Sequence, residues 1–71
     1  MNTLKNFKNI SAALIDLNVN FNKINNTFIL GELQITVSTW DDYVLFLRNG
    51  KDFITSNISV KEAKELIKEF L

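Results

Sequence analysis

Trp40-Asp41-Asp42-Tyr43 is the densest grouping of reactive and recognition side chains in the sequence. Two carboxylates can perform acid–base chemistry when they face each other across a cleft. Asp41 and Asp42 are adjacent in a turn-like stretch, and 71 residues leave little room for a cleft. The same pair, with backbone oxygens, could hold a hard cation, but the flanking residues lack the spacing of a known cation loop. A solvated turn is the simpler reading of both carboxylates. Trp40 and Tyr43 suit a different task, since large aromatics anchor protein interfaces. The competing reading is that the lone Trp of a small domain fills its core.

The remaining chemistry is sparse. There is no cysteine and no histidine. The usual neutral-pH acid–base group, the usual activated nucleophiles and the commonest transition-metal ligand are therefore missing. Gly31 and Gly50 are isolated, so no glycine-rich phosphate loop exists. We expect no catalytic residue, no cofactor site and no metal site, and hence a non-enzymatic protein. Eight basic side chains balance eight acidic ones. Neither the basic footprint of a nucleic-acid binder nor the acidic bias of a nucleic-acid mimic is present. Lys23, Arg48 and Lys51 do lie near Phe21, Phe46 and Phe53 in sequence, a mixture of cations and rings that can stack bases. A small nucleic-acid-associated regulator using the basic hairpin tip at Arg48 and Lys51 is thus the second reading. Against it, Phe46 and Phe53 are expected in the core.

The elements that must position these residues follow from the apolar pattern. Leu4, Phe7, Ile10, Ala13, Leu14 and Leu17 recur at spacings of three and four, which predicts a helix over 3–17 capped by Asn2 or Thr3. Lys5, Asn6, Asn9 and Asp16 face water in that helix, and Asn18 ends it in a left-handed conformation. The stretch Asn18-Val19-Asn20-Phe21-Asn22 alternates as a short edge strand does, and Asn25-Asn26 is a turn candidate. From Thr27 to Thr39 the apolar phase switches: Phe28 and Leu30 are even, whereas Leu33, Ile35 and Val37 are odd. Gly31 lies at the switch, which predicts a β-bulge inside one long strand. A strand over 43–48 leads into Asn49-Gly50, the strongest short hairpin signal, and a last strand runs over 51–56. Ser59 and Glu62 have capping-box spacing ahead of a helix over 60–71 with Val60, Ala63, Leu66, Ile67 and Phe70 on one stripe. The fold class is α+β: one domain over 1–71, with an N-terminal helix, an antiparallel three- to four-stranded meander and a C-terminal helix in two layers.

Val44, Leu45, Phe46 and Leu47 run consecutively, so both faces of their strand are apolar. The Asn-Gly turn pairs Arg48 with Lys51, Phe46 with Phe53 and Val44 with Thr55. A two-residue turn at Asp41-Asp42 would pair Trp40 with Tyr43 and Val37 with Phe46. One face then carries Ile35, Val37, Phe46 and Phe53. The other carries Trp40, Tyr43, Leu45, Leu47 and Ile54 beside Gln34, Thr36 and Ser38. Two helices in one layer cover only one face, and an uncovered apolar face marks a contact surface. One helix on each side would instead sandwich the sheet, but the polar row Gln34, Thr36 and Ser38 argues against that.

The leading functional expectation is a small protein-binding module, with Trp40, Asp41, Asp42, Tyr43, Leu45, Leu47 and Ile54 as its partner-binding residues. The abundance of Asn, Lys and Ile reflects AT-rich codons and points to a low-GC bacterium or its phage, and the leading expectation is that a phage or mobile element encodes the chain. In that setting the module is an inhibitor that occupies the surface of a host protein, in the manner of anti-defence proteins. A short chain without disulfides also gains from oligomerisation, so a symmetric dimer through one sheet face is expected. No segment has the length of a membrane span or the uninterrupted apolar core of a signal peptide, which gives an expectation of cytoplasmic location without membrane contact.

Overall fold

The computed structural model describes residues 3–71; Asn2, one of the two cap candidates, lies outside the described residues. Helix α1 covers Thr3–Asp16. Asn18 follows in the left-handed region with φ 56. The amide of Asn18 donates to the Ile15 carbonyl at 3.0 Å and that of Val19 to the Leu14 carbonyl at 3.3 Å. This pair of bonds is a Schellman ending, and it satisfies carbonyls the helix would otherwise leave bare. Helix α2 covers Val60–Phe70. The Ser59 hydroxyl oxygen accepts from the Glu62 amide at 3.1 Å and donates to the Glu62 carboxylate at 3.1 Å, so the Ser59–Glu62 spacing does form the cap.

Five strands lie between the helices: β1 Asn22–Ile24, β2 Thr27–Leu30, β3 Leu33–Val37, β4 Val44–Arg48 and β5 Lys51–Thr55. They form one antiparallel sheet in sequence order. The extra strand comes from Gly31, which is not a bulge. Leu30 pairs with Leu33 across Gly31-Glu32, Gly31 has φ 60 and Glu32 stays at negative φ. That is a two-residue hairpin of the type II′ class, which takes Gly first. The edge strand also lies later than the alternation in 18–22 implied. Val19 and Phe21 instead reach back to the core before the chain enters the sheet. The Asn49-Gly50 turn and its register are as expected: both residues have positive φ, and Arg48 faces Lys51, Phe46 faces Phe53 and Val44 faces Thr55.

Both helices pack on one face of the sheet. Phe28, Leu30, Leu33, Ile35, Val37, Val44 and Phe46 on that face join Ile10, Ala13 and Leu14 of α1 and Ala63, Ile67 and Phe70 of α2 in a single core. The Phe28 ring contacts Phe7 and Phe21, and the Phe46 ring contacts Phe70. Three core expectations fail. Leu4, in the first turn of α1, is exposed. Phe53 shares the face of Phe46 but is 44% exposed, because it lies on the outermost strand where helix cover ends. Asn6 does not face water; it is 1% exposed. Its Oδ1 accepts from the Ile58 amide at 3.3 Å and its Nδ2 donates to the Ser56 carbonyl at 3.5 Å. Asn9 Nδ2 adds a 2.7 Å bond to the Ile58 carbonyl. Two amide side chains of α1 thus satisfy the backbone of the segment entering α2, where buried polar groups without partners are costly.

The open sheet face as a candidate binding surface

Strand alternation puts Ile29 of β2, Gln34 and Thr36 of β3, Leu45 and Leu47 of β4, and Asp52 and Ile54 of β5 on the face opposite the helices. No described helix covers it. Its middle is polar: Thr27 and Thr36 hydrogen-bond across strands at 3.0 Å, and Gln34 is exposed. Its β4–β5 side is apolar, with Leu45 half-buried, Leu47 exposed and Ile54 61% exposed. Three of the sequence-derived contact residues, Leu45, Leu47 and Ile54, are therefore adjacent on one open surface. Leu45 and Ile54 are direct cross-strand partners.

The other four lie in the β3–β4 connection, which is not a two-residue turn. Val37 pairs with Val44 and Ile35 with Phe46, so residues 38–43 form the loop and Trp40 does not pair with Tyr43. Ser38 organises it. Its amide donates to the Tyr43 carbonyl at 2.9 Å. Its hydroxyl oxygen accepts from the amides of Trp40 at 3.2 Å and Asp41 at 2.9 Å, and Thr3 Oγ1 donates to its carbonyl at 3.2 Å. The backbone is thus tied down while the Trp40 ring is 89% exposed, which removes the core reading of that ring. Tyr43 directly precedes β4 with the sequence parity of Leu45, and it is 37% exposed.

The cations of the nucleic-acid reading have other engagements. The Arg48 guanidinium donates to the carbonyls of Phe70 and Leu71 and lies 3.9 Å from the Glu32 carboxylate, closing the C-terminal end of α2, where a cation is favoured. The hairpin tips at Gly31-Glu32 and Asn49-Gly50 share one end of the sheet, joined by a 2.9 Å bond from Asn49 to Glu32. Lys51 stacks on the Phe70 ring and Lys23 on the Phe7 ring. The rings meant to accompany these cations do not form a stacking platform, since Phe46 is buried and Phe21 packs against Phe28.

Sequence reasoning missed Asn6 and Asn9 as organisers; with Lys5, Asn57 and the capping pair Ser59 and Glu62 they line a polar depression of about 340 Å³ beside the start of α2. Its Asn6 and Asn9 amides are already committed to the chain's own backbone. Among the described residues no helix is long and apolar enough to cross a membrane. No protein family, curated protein or solved structure matches this chain.

Proposed function

We propose that the protein is a non-enzymatic binding module that presents the open face of its sheet, with the Trp40 loop at one end, to a protein partner. The carrying observation is the exposed Trp40 ring on a backbone anchored by Ser38. A large apolar side chain held out in water costs free energy in the monomer and recovers it when buried at an interface. Leu45, Leu47, Ile54 and Tyr43 supply an apolar area on the β4–β5 side, and Gln34, Thr36, Asp41 and Asp52 supply polar groups beside it, the mixture of apolar and hydrogen-bonding groups that interfaces use. In its most concrete form the module is an inhibitor, borne by a phage or mobile element, that masks a surface of a host protein in the cytoplasm. The nucleic-acid reading draws less support, because Arg48 and Lys51 are held against α2.

The test compares wild type with Trp40→Ala and Leu45→Lys in affinity capture from a host lysate, followed by titration of the captured protein. Trp40→Ala should weaken binding by about 2 kcal/mol, near thirtyfold, with an unchanged thermal melt. Equal capture and equal affinity for both variants would reject the surface. A salt-steep gel shift with mixed-sequence oligonucleotide, lost on Lys51→Ala, would favour the second reading instead.

A further inference from the structure

The sheet has two edges, and they are built differently. β1 has three residues, and the two-residue loop that follows it directs the backbone groups of Asn22 and Ile24 towards β2. Only Lys23 turns its amide and carbonyl outward. β5 has five residues, and its outer side pairs with no described strand. The closing pair of its hairpin is Arg48 with Lys51, so Lys51, Phe53 and Thr55 bond to β4 while Asp52 and Ile54 aim their amides and carbonyls outward. β5 has no proline and no bulge, and Phe53 on one face and Ile54 on the other are 44% and 61% exposed. It lacks most of the devices that protect an edge, having only the charges of Lys51 and Asp52 at its first two positions.

We infer that β5 is a homodimerisation edge, and that two copies join by antiparallel β5–β5 pairing with Phe53 opposite Phe53 of the second copy. A second copy fits this edge, because the strand has a full-length register on itself in which no like charges meet. A two-fold axis perpendicular to the sheet keeps each residue on its face, so only registers that pair residues of like parity are open. Centring on Lys51 opposes two lysines, and centring on Asp52 opposes two carboxylates, which repel. Centring on Ile54 or Thr55 avoids both but shortens the overlap within β5 to three residues or one, whereas centring on Phe53 avoids both at full length. It overlaps all five residues, sets Lys51 against Thr55 and Asp52 against Ile54, and places the two phenyl rings at a non-hydrogen-bonded position, where side chains are closest. Asp52 and Ile54 then exchange backbone hydrogen bonds with Ile54 and Asp52 of the second copy, satisfying the outward groups of both.

Face-to-face pairing would cover the open face and leave the outward backbone groups of Asp52 and Ile54 to water. Edge pairing satisfies those groups and keeps both open faces on the same side of one ten-stranded sheet, which doubles the platform. That last consequence rests on the proposed function; the pairing itself does not.

The chain has no cysteine, so single cysteines report the pairing directly. Phe53→Cys should cross-link to a covalent dimer under mild oxidation, and Lys51→Cys and Thr55→Cys should not. Sedimentation should show wild type dimerising at about 100 μM, and Ile54→Pro, which removes an outward amide without breaking a bond to β4, should raise the dimer dissociation constant about tenfold or more, whereas Ile54→Ala, which keeps the amide, should not. Wild type that stays monomeric at about 1 mM with no Phe53→Cys cross-link overturns the inference. So does a dimer that Leu45→Lys dissociates and Ile54→Pro leaves intact, which would place the contact on the open face. Equal partner capture by wild type, Trp40→Ala and Leu45→Lys, with an intact β5 dimer, would count against the proposed function alone.

Discussion

The two faces of the sheet are made by the same strands, yet they obey different rules. On the helix side, seven apolar side chains from β2, β3 and β4 are buried in one core with residues of both helices. On the other side, polar Thr27, Gln34 and Thr36 occupy the middle, and apolar side chains gather towards β4 and β5. The first face is shaped by the need to fill volume, and any loss there leaves a hole. The second has no volume to fill, so its apolar residues are not retained for packing. Comparing Phe46 with Phe53 isolates the difference, since they are cross-strand partners on the helix side and only Phe46 lies under helix cover.

Breaking that comparison gives the largest effect. Phe46→Ala should destabilise the domain by about 3–5 kcal/mol, which for this size is most of the stability, whereas Phe53→Ala should cost about 1 kcal/mol or less in the monomer. Urea denaturation at low concentration checks both, and equal losses would mean that helix cover does not decide burial here. Next is Asn6→Ala, which strands the Ile58 amide and the Ser56 carbonyl and should cost about 1–3 kcal/mol. The same denaturation series reads it. The smallest effect should come from the open face: Leu47→Thr should shift the unfolding free energy by no more than about 0.5 kcal/mol.

Much of this contrast was legible in the residue pattern, and the errors have a common physical origin. Alternation reports which side of a strand a residue occupies, not how the chain reaches it. At Gly31 the switch from even to odd apolar positions is produced equally by a bulge and by a two-residue hairpin, because Leu30 pairs with Leu33 across opposite parity. The polar Glu32 after the Gly was the sign of the hairpin. At the β3–β4 connection, a two-residue turn pairs Val37 with Phe46, while the real loop pairs Val37 with Val44. The registers differ by two residues, so both assign the same faces, and Leu45, Leu47 and Ile54 remained together although the Trp40–Tyr43 pair did not form. Phe53 and Asn6 needed information that no local pattern holds. The exposure of Phe53 depends on where the helices stop, and the burial of Asn6 depends on a chain segment some fifty residues away.

That distant contact bears on how the domain assembles. Every strand pairs with its neighbour in sequence, so the sheet can zip from one hairpin to the next with little loop-closure entropy. The helices cannot form their contact this way, because they stand at opposite ends of the described chain. Asn6 and Asn9 therefore act as a clasp that closes only when both ends have arrived. The Ile58 amide, held by the Asn6 side chain, should exchange its hydrogen on the timescale of clasp opening, and hairpin amides at the Asn49-Gly50 end on the timescale of local fraying. A single amide thus separates rupture of the whole molecule from breathing of its sheet.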